Sequence, residues 1–512
     1  MAPYAAAILA ASPFATTLAL TLVVGFVVAL FFSERSGGSR APGTEAPAYG
    51  SACRHLFALD FTACAGHLNH GSYGVAPHAI MAAARQEMLR IEAWPDRFMR
   101  RTALASFGEA ADALGAALLR APPGSCAFVE NATAGVNAVL RSLRLSKGDV
   151  IVITQHTYNA CKNAVLDVAE RSGATVVTHE VPLPLTPGGA GGGGTLADGL
   201  VEAWDALLAA QPPGAVKFAL VDHITSPTAI VMPVARLVAA VRARQPGARV
   251  MVDGAHAPGH LPGLDVPAVG ADWYVGNLHT WCWTLKGVAL LHAADGVREA
   301  EAAGRPATQG GIISHFWRAS FLERFFMQGT LDYSRYLSAP AALRWVDDAL
   351  GGWAAVHAHN AALASEGARL LAAAWGGARR LVEPAARVEQ EGLRTPFLVA
   401  VVTPLQWRSW VVRGDGGARG VWGLPEAEAD AAREADAGLN ERLANAVLAE
   451  ANVQSVFFPW RVGGEVVIAN RISANVYNTI EEYERLAAAV LRVHEKAEAL
   501  CGRASAQGGL RG

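Results

Sequence analysis

The sequence predicts an α/β fold with a largely parallel sheet that is covered by helices on both faces. Short apolar runs alternate with helical segments from residue 126 to about residue 290, and this alternation is typical of βαβ units. Two of the apolar runs, 216–221 and 250–252, lead directly into Asp222 and Asp253. A polar side chain at the carboxyl end of a buried strand is a common position for a ligand site in such folds.

The length and composition indicate a chain of more than one domain. With 512 residues, it is long enough for two domains and an ample core. We predict a linker that ends at residue 45, a large domain over 46–340, a smaller α+β domain over 341–500 and a tail over 501–512. Residues 182–195 and 408–439 read as insertions, the first of them a flexible surface segment.

The charge balance and the cysteines exclude some classes of function. The 43 basic residues against 45 acidic residues give no electrostatic argument for a nucleic-acid partner. The six cysteines show no CxxC spacing, which suits a reducing compartment.

The N-terminus carries a run of 20 mostly apolar residues over 13–32 with no charged side chain. Because about 20 such residues span a bilayer, we predict an apolar helix that serves as a single-pass membrane anchor. Arg35, Arg40 and Arg54 follow the run, which by the positive-inside rule places the globular part on the cytosolic side. A targeting peptide, leading to an organelle or to secretion, is the alternative.

The stretch 250–287, VMVDGAHAPGHLPGLDVPAVGADWYVGNLHTWCWTLKG, is the predicted active centre. It contains two apolar runs, and each ends in polar residues, as expected of two strand ends beside a ligand. A metal site is the competing interpretation for Asp253, His256 and His260, and also for His67 and His70. Glycine and proline interrupt both groups, so they lack the helical spacing of HxxxH ligands, and we predict no metal site.

A second candidate site lies at 126–143, where a strand, a turn of small residues (ENATAGVN) and a helix predicted from residue 136 follow one another. Free N–H groups and the helix dipole at such a turn favour a phosphate group. A simple helix cap is the alternative.

After the strand over 150–153, His156 and Tyr158 offer flat π-surfaces on which a ring could stack. His156 could instead cap the next helix. Asp222 and His223 could be a plain strand-end pair.

Six segments resemble the class V aminotransferase family of pyridoxal phosphate (PLP) enzymes, and within it the isopenicillin N epimerase-like branch. They are LNHGSYG from 68, NATAGVN from 131, DHITSPT from 222, DGAHAPG from 253, GTLD from 329 and RIS from 471. The resemblance covers roughly residues 55–500. It implies PLP-dependent transferase fold type I, with a mainly parallel seven-stranded sheet, PLP as the cofactor, and a homodimer with shared active sites.

The resemblance also implies a role for each matched residue. Asp253 would pair with the ring nitrogen, His256 would bond the phenolic oxygen, and His156 would stack on the ring that Asp222 also faces. The remaining cofactor contacts, mostly to the phosphate and two of them from the neighbouring subunit, would come from Thr133, Ala134, Asn277, His279, Gly329 and Thr330. The substrate contacts would come from Asn69, His70, Tyr158 and Arg471, where the Arg471 guanidinium would hold the α-carboxylate with two hydrogen bonds.

One position departs from the family. Thr280 stands where the resemblance places the catalytic lysine that forms a Schiff base with PLP. A hydroxyl can form no imine and is a poor general base, and Lys286 matches a second family lysine.

Three interpretations follow from Thr280. The first is an active enzyme of epimerase, transaminase or lyase type on an amino-acid-like substrate, which uses Lys286, His279 or a noncovalently held cofactor. The second is a catalytically silent binding or scaffold protein. The third is an error in the recorded sequence at Thr280.

Overall fold

The computed structural model describes residues 48–189, 192–304, 308–376, 381–382, 385–405, 437–462 and 465–508. The predicted anchor over 13–32 and most of the predicted insertion over 408–439 lie outside these ranges. Within them, no helix combines the length and the apolar character that crossing a bilayer requires. On that finding we correct the prediction of a membrane location and of a membrane partner.

Twelve strands are found in the described ranges. They are β1 Gly66–His67, β2 Cys126–Val129, β3 Val150–Thr154, β4 Thr175–His179, β5 Val216–Asp222, β6 Arg249–Asp253, β7 Trp273–Asn277, β8 Ala289–Ala293, β9 Leu398–Val402, β10 Val453–Gln454, β11 Val456–Val462 and β12 Glu465–Ser473. Seven of them form one sheet in the order β2-β8-β7-β6-β5-β3-β4. Only β8 runs antiparallel to its neighbours, which confirms the predicted mainly parallel seven-stranded sheet.

The α-helices of the described ranges lie mostly between these strands. They are α1 His70–Tyr73, α2 His78–Glu92, α3 Pro95–Arg97, α4 Ala103–Leu119, α5 Ala132–Ser142, α6 Asn159–Ser172, α7 Leu196–Ala209, α8 Val234–Arg244, α9 Val266–Val269, α10 Asp295–Ala302, α11 Phe321–Phe326, α12 Ser334–Leu337, α13 Ala341–Leu350, α14 Trp353–Ala374, α15 Ala385–Gln390, α16 Ala437–Ala451 and α17 Ile480–Gly508. A 3₁₀-helix, Gly50–Leu56, and a π-helical turn, Phe98–Thr102, complete the set.

Helices cover both faces of the large sheet. One apolar layer includes Phe107, Phe128 and Trp204, and the other includes Val136 and Val165. Strands β2, β3 and β8 are buried at every residue. Near-continuous apolar strands are what a sheet covered on both faces requires, and this explains why the strand predictions succeeded.

A second, antiparallel sheet of order β11-β12-β9 packs on α14, α16 and α17 through a separate core that includes Leu363, Leu443 and Tyr483. Strand β1 pairs with β10, so the residues just before the large sheet join the C-terminal layer. The boundary between domains at residue 340 stays a prediction.

Two local predictions need correction. Helix α5 begins at Ala132, four residues earlier than predicted, because the Asn131 side chain caps it by accepting a hydrogen bond from the Ala134 N–H at 2.8 Å. The segment 182–195 does not lie wholly on the surface. Leu183 and Leu185 are buried in the core, since apolar side chains gain stability by leaving water.

Gly74 marks the closest approach of the N-terminal segment to the stretch 250–287. It has a left-handed backbone with φ +65°, and a Cβ atom there would lie 1.8 Å from the carbonyl oxygen of His279. A side chain is excluded by both strain and contact. The glycine therefore lets α1 pack directly against the peptide that joins His279 to Thr280.

We expect Gly74→Ala to lower the free energy of unfolding by at least about 3 kcal/mol, because left-handed strain adds to a backbone clash. Gly124→Ala is the matched control, since Gly124 has φ +71° with no atom within 4 Å of its Cβ position. It should cost only the strain, about 1–2 kcal/mol. Denaturant unfolding measures both; equal losses would show that the contact with His279 contributes nothing.

Candidate functional site

Four consecutive strands of the large sheet, β7-β6-β5-β3, run parallel, so their carboxyl ends meet at one edge. Asp222 is the last residue of β5 and Asp253 the last of β6. His156 follows β3 by two residues, and Thr280 follows β7 by three. The tertiary structure thus gathers side chains from four predicted segments at the position where open α/β sheets bind ligands.

Asp222 and Asp253 form a buried pair of carboxyl groups, directly opposite each other in the register of β5 and β6. Asp253 accepts hydrogen bonds from the Ala255 N–H at 3.0 Å and from the Cys161 thiol at 3.4 Å. Asp222 Oδ1 accepts a long hydrogen bond from the Tyr158 N–H at 3.4 Å. Burial raises the pKa of both groups, and for Asp222 repulsion from Asp253 raises the pKa further.

Two buried histidines flank this pair and are held in the neutral form. His156 Nδ1 lies 2.9 Å from the Thr228 hydroxyl, and its ring stacks on Trp460 with centroids 4.8 Å apart. Burial is the main cause that lowers the pKa of His156 and of His256 to about 3. Neutral rings can stack or exchange single hydrogen bonds at neutral pH without carrying charge.

The start of α5 lies beside the end of β7. Asn277 Oδ1 accepts a hydrogen bond from the Ala132 N–H at 2.8 Å, and the Asn131 cap occupies the Ala134 N–H. Thr133 contacts the Cys161 thiol, which in turn bonds Asp253. The helix N-terminus that was predicted to bind a phosphate is therefore linked to Asp253 through Cys161, although its Ala132 and Ala134 N–H groups are engaged within the chain.

Thr280 is only 1% exposed, and its backbone is fixed from two sides. Its carbonyl oxygen accepts a hydrogen bond from His70 Nε2 at 2.9 Å, and His70 Nδ1 lies 2.7 Å from the Tyr477 hydroxyl. A carbonyl can only accept, so Nε2 carries the proton and Nδ1 accepts from Tyr477. Burial lowers the pKa of His70 to about 3, which agrees with this neutral tautomer.

No lysine side chain is buried at this centre. The sequence has five lysines, all in the described ranges. Four of them, Lys147, Lys217, Lys286 and Lys496, are exposed, and Lys162 is half-buried. Lys286 is therefore not part of the buried centre in this conformation.

Arg471 lies in β12 and is 3% exposed. Its guanidinium donates to the Ser226 carbonyl at 2.7 Å and hydroxyl at 3.0 Å, to the Ser72 hydroxyl at 2.9 Å and to Asn69 Oδ1 at 3.2 Å. All these partners are neutral, and no ion pair of Arg471 occurs among the described residues. Burial lowers its pKa to about 10, so it stays charged at neutral pH and can attract an anion.

The other predicted residues differ in how far they are buried and in what they contact. Thr330 is exposed and Gly329 half-exposed, and no hydrogen bond in the described ranges joins them to the strand ends. Tyr158 is 49% exposed. His279 is half-exposed, and its Nδ1 donates to the Val288 carbonyl at 3.3 Å. Asn69 Oδ1 accepts hydrogen bonds from both Arg471 and Ser72.

Sequence reasoning missed Cys161 and Trp460. Cys161 lies in the first turn of α6, five residues after His156. Because this helix starts close to the end of β3, its first turn lies near the strand ends, and that position was the available signal for Cys161. Trp460 comes from β11 in the other sheet, and nothing in its local sequence indicates a contact with His156.

Four buried polar atoms at this edge have no hydrogen-bond partner among the described residues: Asp222 Oδ2, His156 Nε2, His256 Nδ1 and Thr280 Oγ1. Buried polar atoms are rarely left unpaired, because each costs about 1–3 kcal/mol. A flat ligand with a ring nitrogen and a phenolic oxygen would fit this set, with the carboxyl groups towards the nitrogen and the neutral histidines towards the ring. The start of α5 would be the position for a phosphate on the same ligand.

Comparison with known proteins agrees with this fit. The aminotransferase class-V family profile matches residues 72–392. Isopenicillin N epimerase of Streptomyces clavuligerus is 30% identical over 60% of this chain and 74% of its own length. L-cysteine desulfhydrase of Arabidopsis thaliana is 28% identical over 60% of this chain and 66% of its own length. A related protein of Oryza sativa subsp. japonica is matched over 63% of its length, so the match spans about two thirds of these plant proteins.

Solved structures show the same fold. The apo cysteine desulfurase of Thermococcus onnurineus NA1 aligns with a TM-score of 0.60 at 15% identity, over 90% of this chain and all of that chain. A C-DES mutant with glycine covalently linked to the PLP cofactor aligns with a TM-score of 0.58 at 19% identity, over 84% and 99%. This chain therefore belongs to the aminotransferase class-V family, in the group that includes isopenicillin N epimerase and L-cysteine desulfhydrase, with pyridoxal phosphate as its cofactor.

Proposed function

We propose that this chain binds PLP noncovalently at the carboxyl edge of the large sheet and acts on an amino acid or an amino-acid-like substrate. The observation that carries the proposal is the set of four unpaired buried polar atoms at that edge, with the buried cation Arg471 held by residues on either side of it. When bound, PLP withdraws electrons from the α-carbon of an amino acid.

The carboxyl pair and the histidines hold and tune the cofactor ring. Asp253 keeps a proton on the ring nitrogen, and its position is fixed by Ala255 and Cys161. His256, whose Nδ1 is unpaired, bonds the phenolic oxygen. His156, which stacks on Trp460, would offer its other face to the ring. Asp253, His256 and His156 are all buried. Their hydrogen bonds and contacts to the ring would therefore form in a medium of low dielectric constant, where polar interactions are strong.

Arg471 binds the substrate carboxylate. A guanidinium fork matches a carboxylate with two parallel hydrogen bonds, which would replace bonds that Arg471 now donates to Ser226, Ser72 or Asn69, and burial removes competing water. The neutral partners of Arg471 orient it without neutralising it. The site therefore selects small molecules with a free carboxylate next to an amino group.

His279 moves the proton that the missing lysine would move. It precedes Thr280, and its Nδ1 donates to the Val288 carbonyl, which leaves the lone pair on Nε2 to accept a proton. Burial lowers the pKa of His279, so the ring is in the basic form at neutral pH. His70 and Tyr477 act only as positioning residues, because they hold the Thr280 carbonyl.

The relatives leave the reaction class open between the lyase and epimerase types, since they carry the names L-cysteine desulfhydrase and isopenicillin N epimerase. We propose a homodimer in which the exposed turn at Gly329 and Thr330 reaches the partner's phosphate site.

A second candidate function is a silent binding protein of the same fold. Thr280 and the lack of a buried lysine favour it.

We expect Thr280→Lys to gain a pyridoxyl group at position 280 after incubation with PLP and reduction with borohydride. The reason is that the backbone at this position is fixed by His70 and Gly74, which places an introduced amine at the cofactor. Peptide mass spectrometry locates the group. Wild type should retain PLP on gel filtration without any label.

Lys286→Ala is the control in the same experiment. It should not change the retention of PLP, since Lys286 is exposed. A label on Lys286 in wild type would contradict noncovalent binding. Absence of retained PLP in wild type, together with no label in Thr280→Lys, would favour the silent protein.

Arg471→Gln should weaken the binding of a phosphopyridoxyl-alanine conjugate by about 10- to 100-fold, the effect of losing charged hydrogen bonds worth about 1.5–3 kcal/mol. Binding of phosphopyridoxyl-ethylamine, which lacks the carboxylate, should change little. Fluorescence titration measures the affinity of the same variant for both ligands. A general folding defect would weaken both affinities equally, so it does not change their ratio. An equal loss for the two ligands would exclude Arg471 as the carboxylate site.

Asp222→Asn should stabilise the ligand-free protein, by about 1–3 kcal/mol at pH 8 and by less near pH 4. Folding raises the pKa of this carboxyl group, so between the unfolded-state pKa and the folded-state pKa the folded protein binds a proton that the unfolded chain has lost. The destabilisation by Asp222 therefore increases as the pH rises towards the folded-state pKa. Asp272→Asn is the control, because Asp272 is buried but paired with Arg242 and Arg249; it should destabilise the protein. Urea unfolding at both pH values tests this, and a pH-independent effect of Asp222→Asn would refute it.

A further inference from the structure

The position of Thr280 bears on which chemical form of the cofactor the site prefers. Its hydroxyl oxygen is buried without a partner in the described ranges, and it occupies the place where the family carries an amine. An aldehyde that enters this site meets no buried amine, because four of the five lysines are exposed and Lys162 is only half-buried. A ligand that brings its own amino group would supply what the chain lacks.

The charge of the site supports the same conclusion. Asp222 and Asp253 are adjacent, buried and raised in pKa by burial. The buried cation nearby, Arg471, is directed at Ser226, Ser72 and Asn69. A protonated ring nitrogen balances one carboxylate, and a second positive group on the ligand would balance the other. An aldehyde carries no such charge, whereas an amine carries one at neutral pH.

We propose that this site is selective for a phosphopyridoxyl group that already bears an amine, namely pyridoxamine phosphate or a phosphopyridoxyl group joined to the nitrogen of an amino acid. The inference rests on the proposed function and adds the ligand class to it. The Thr280 hydroxyl is the acceptor for the amine, since an N–H of the ligand can donate to Oγ1. Arg471 then adds affinity for conjugates that carry a carboxylate.

The selectivity has an expected size. A hydrogen bond from a charged donor contributes about 1.5–3 kcal/mol, which corresponds to about 10- to 100-fold in affinity. We therefore expect wild type to bind pyridoxamine phosphate at least about tenfold more tightly than PLP. Thr280→Lys should reverse this order, because its amine would repel the ligand's amine and react with the aldehyde.

The test is a titration of the full-length chain with pyridoxamine phosphate and with PLP, followed by protein fluorescence in a buffer without amines. Thr280→Val keeps the shape of the side chain but removes the acceptor, so the ratio of the affinities for pyridoxamine phosphate and for PLP should fall about tenfold. Thr280→Ser retains a hydroxyl and should retain the preference. Thermal unfolding of each variant confirms that it is folded; if Thr280→Val does not fold, the comparison of Thr280→Ser with Thr280→Lys decides.

The outcomes separate this inference from the proposed function. Equal affinity of wild type for the two ligands, or tighter binding of PLP, would overturn the inference and leave a PLP site in place. A preference that persists in Thr280→Lys would also overturn it. Failure of both ligands to bind to wild type and to Thr280→Lys would instead refute the proposed PLP site itself.

Discussion

Two carboxyl groups lie side by side at the ends of β5 and β6, away from water and without a salt bridge to any described cation. Asp222 and Asp253 are held in register by the sheet, so they cannot separate to relieve their repulsion. Like charges at such a separation do not ionise together in a buried site. Burial raises the pKa of both groups and so favours their protonated forms. Under the proposed function, a cationic ring would offset the charge of this pair.

The backbone at Thr280 is held by residues that are distant along the chain. His70, oriented by Tyr477, fixes the carbonyl of Thr280, and Gly74 leaves room for the His279 peptide. The Thr280 side chain is a short hydroxyl that can form no imine. Under the proposed function, this one side chain is the reason why the cofactor is held without a covalent bond.

Under the proposed function, different sheets recognise the ring and the substrate. Asp222 and Asp253 belong to the large parallel sheet, whereas Arg471 and Trp460 belong to the antiparallel sheet. Arg471 is tied to the loop after β5 through Ser226 and to α1 through Ser72. This arrangement couples the two layers, so that a shift of one against the other would alter the position of the carboxylate relative to the ring.

The sequence by itself determined the order of strands and helices and the identity of the polar residues at the strand ends. Apolar runs, turn residues and a family resemblance are local signals, and Asp222, Asp253 and Thr280 were found from them. Tertiary structure alone decided that Cys161 bonds Asp253, that Trp460 stacks on His156 and that both ring nitrogens of His70 are engaged within the chain. These contacts join residues that are distant along the chain, and only packing determines which of them meet.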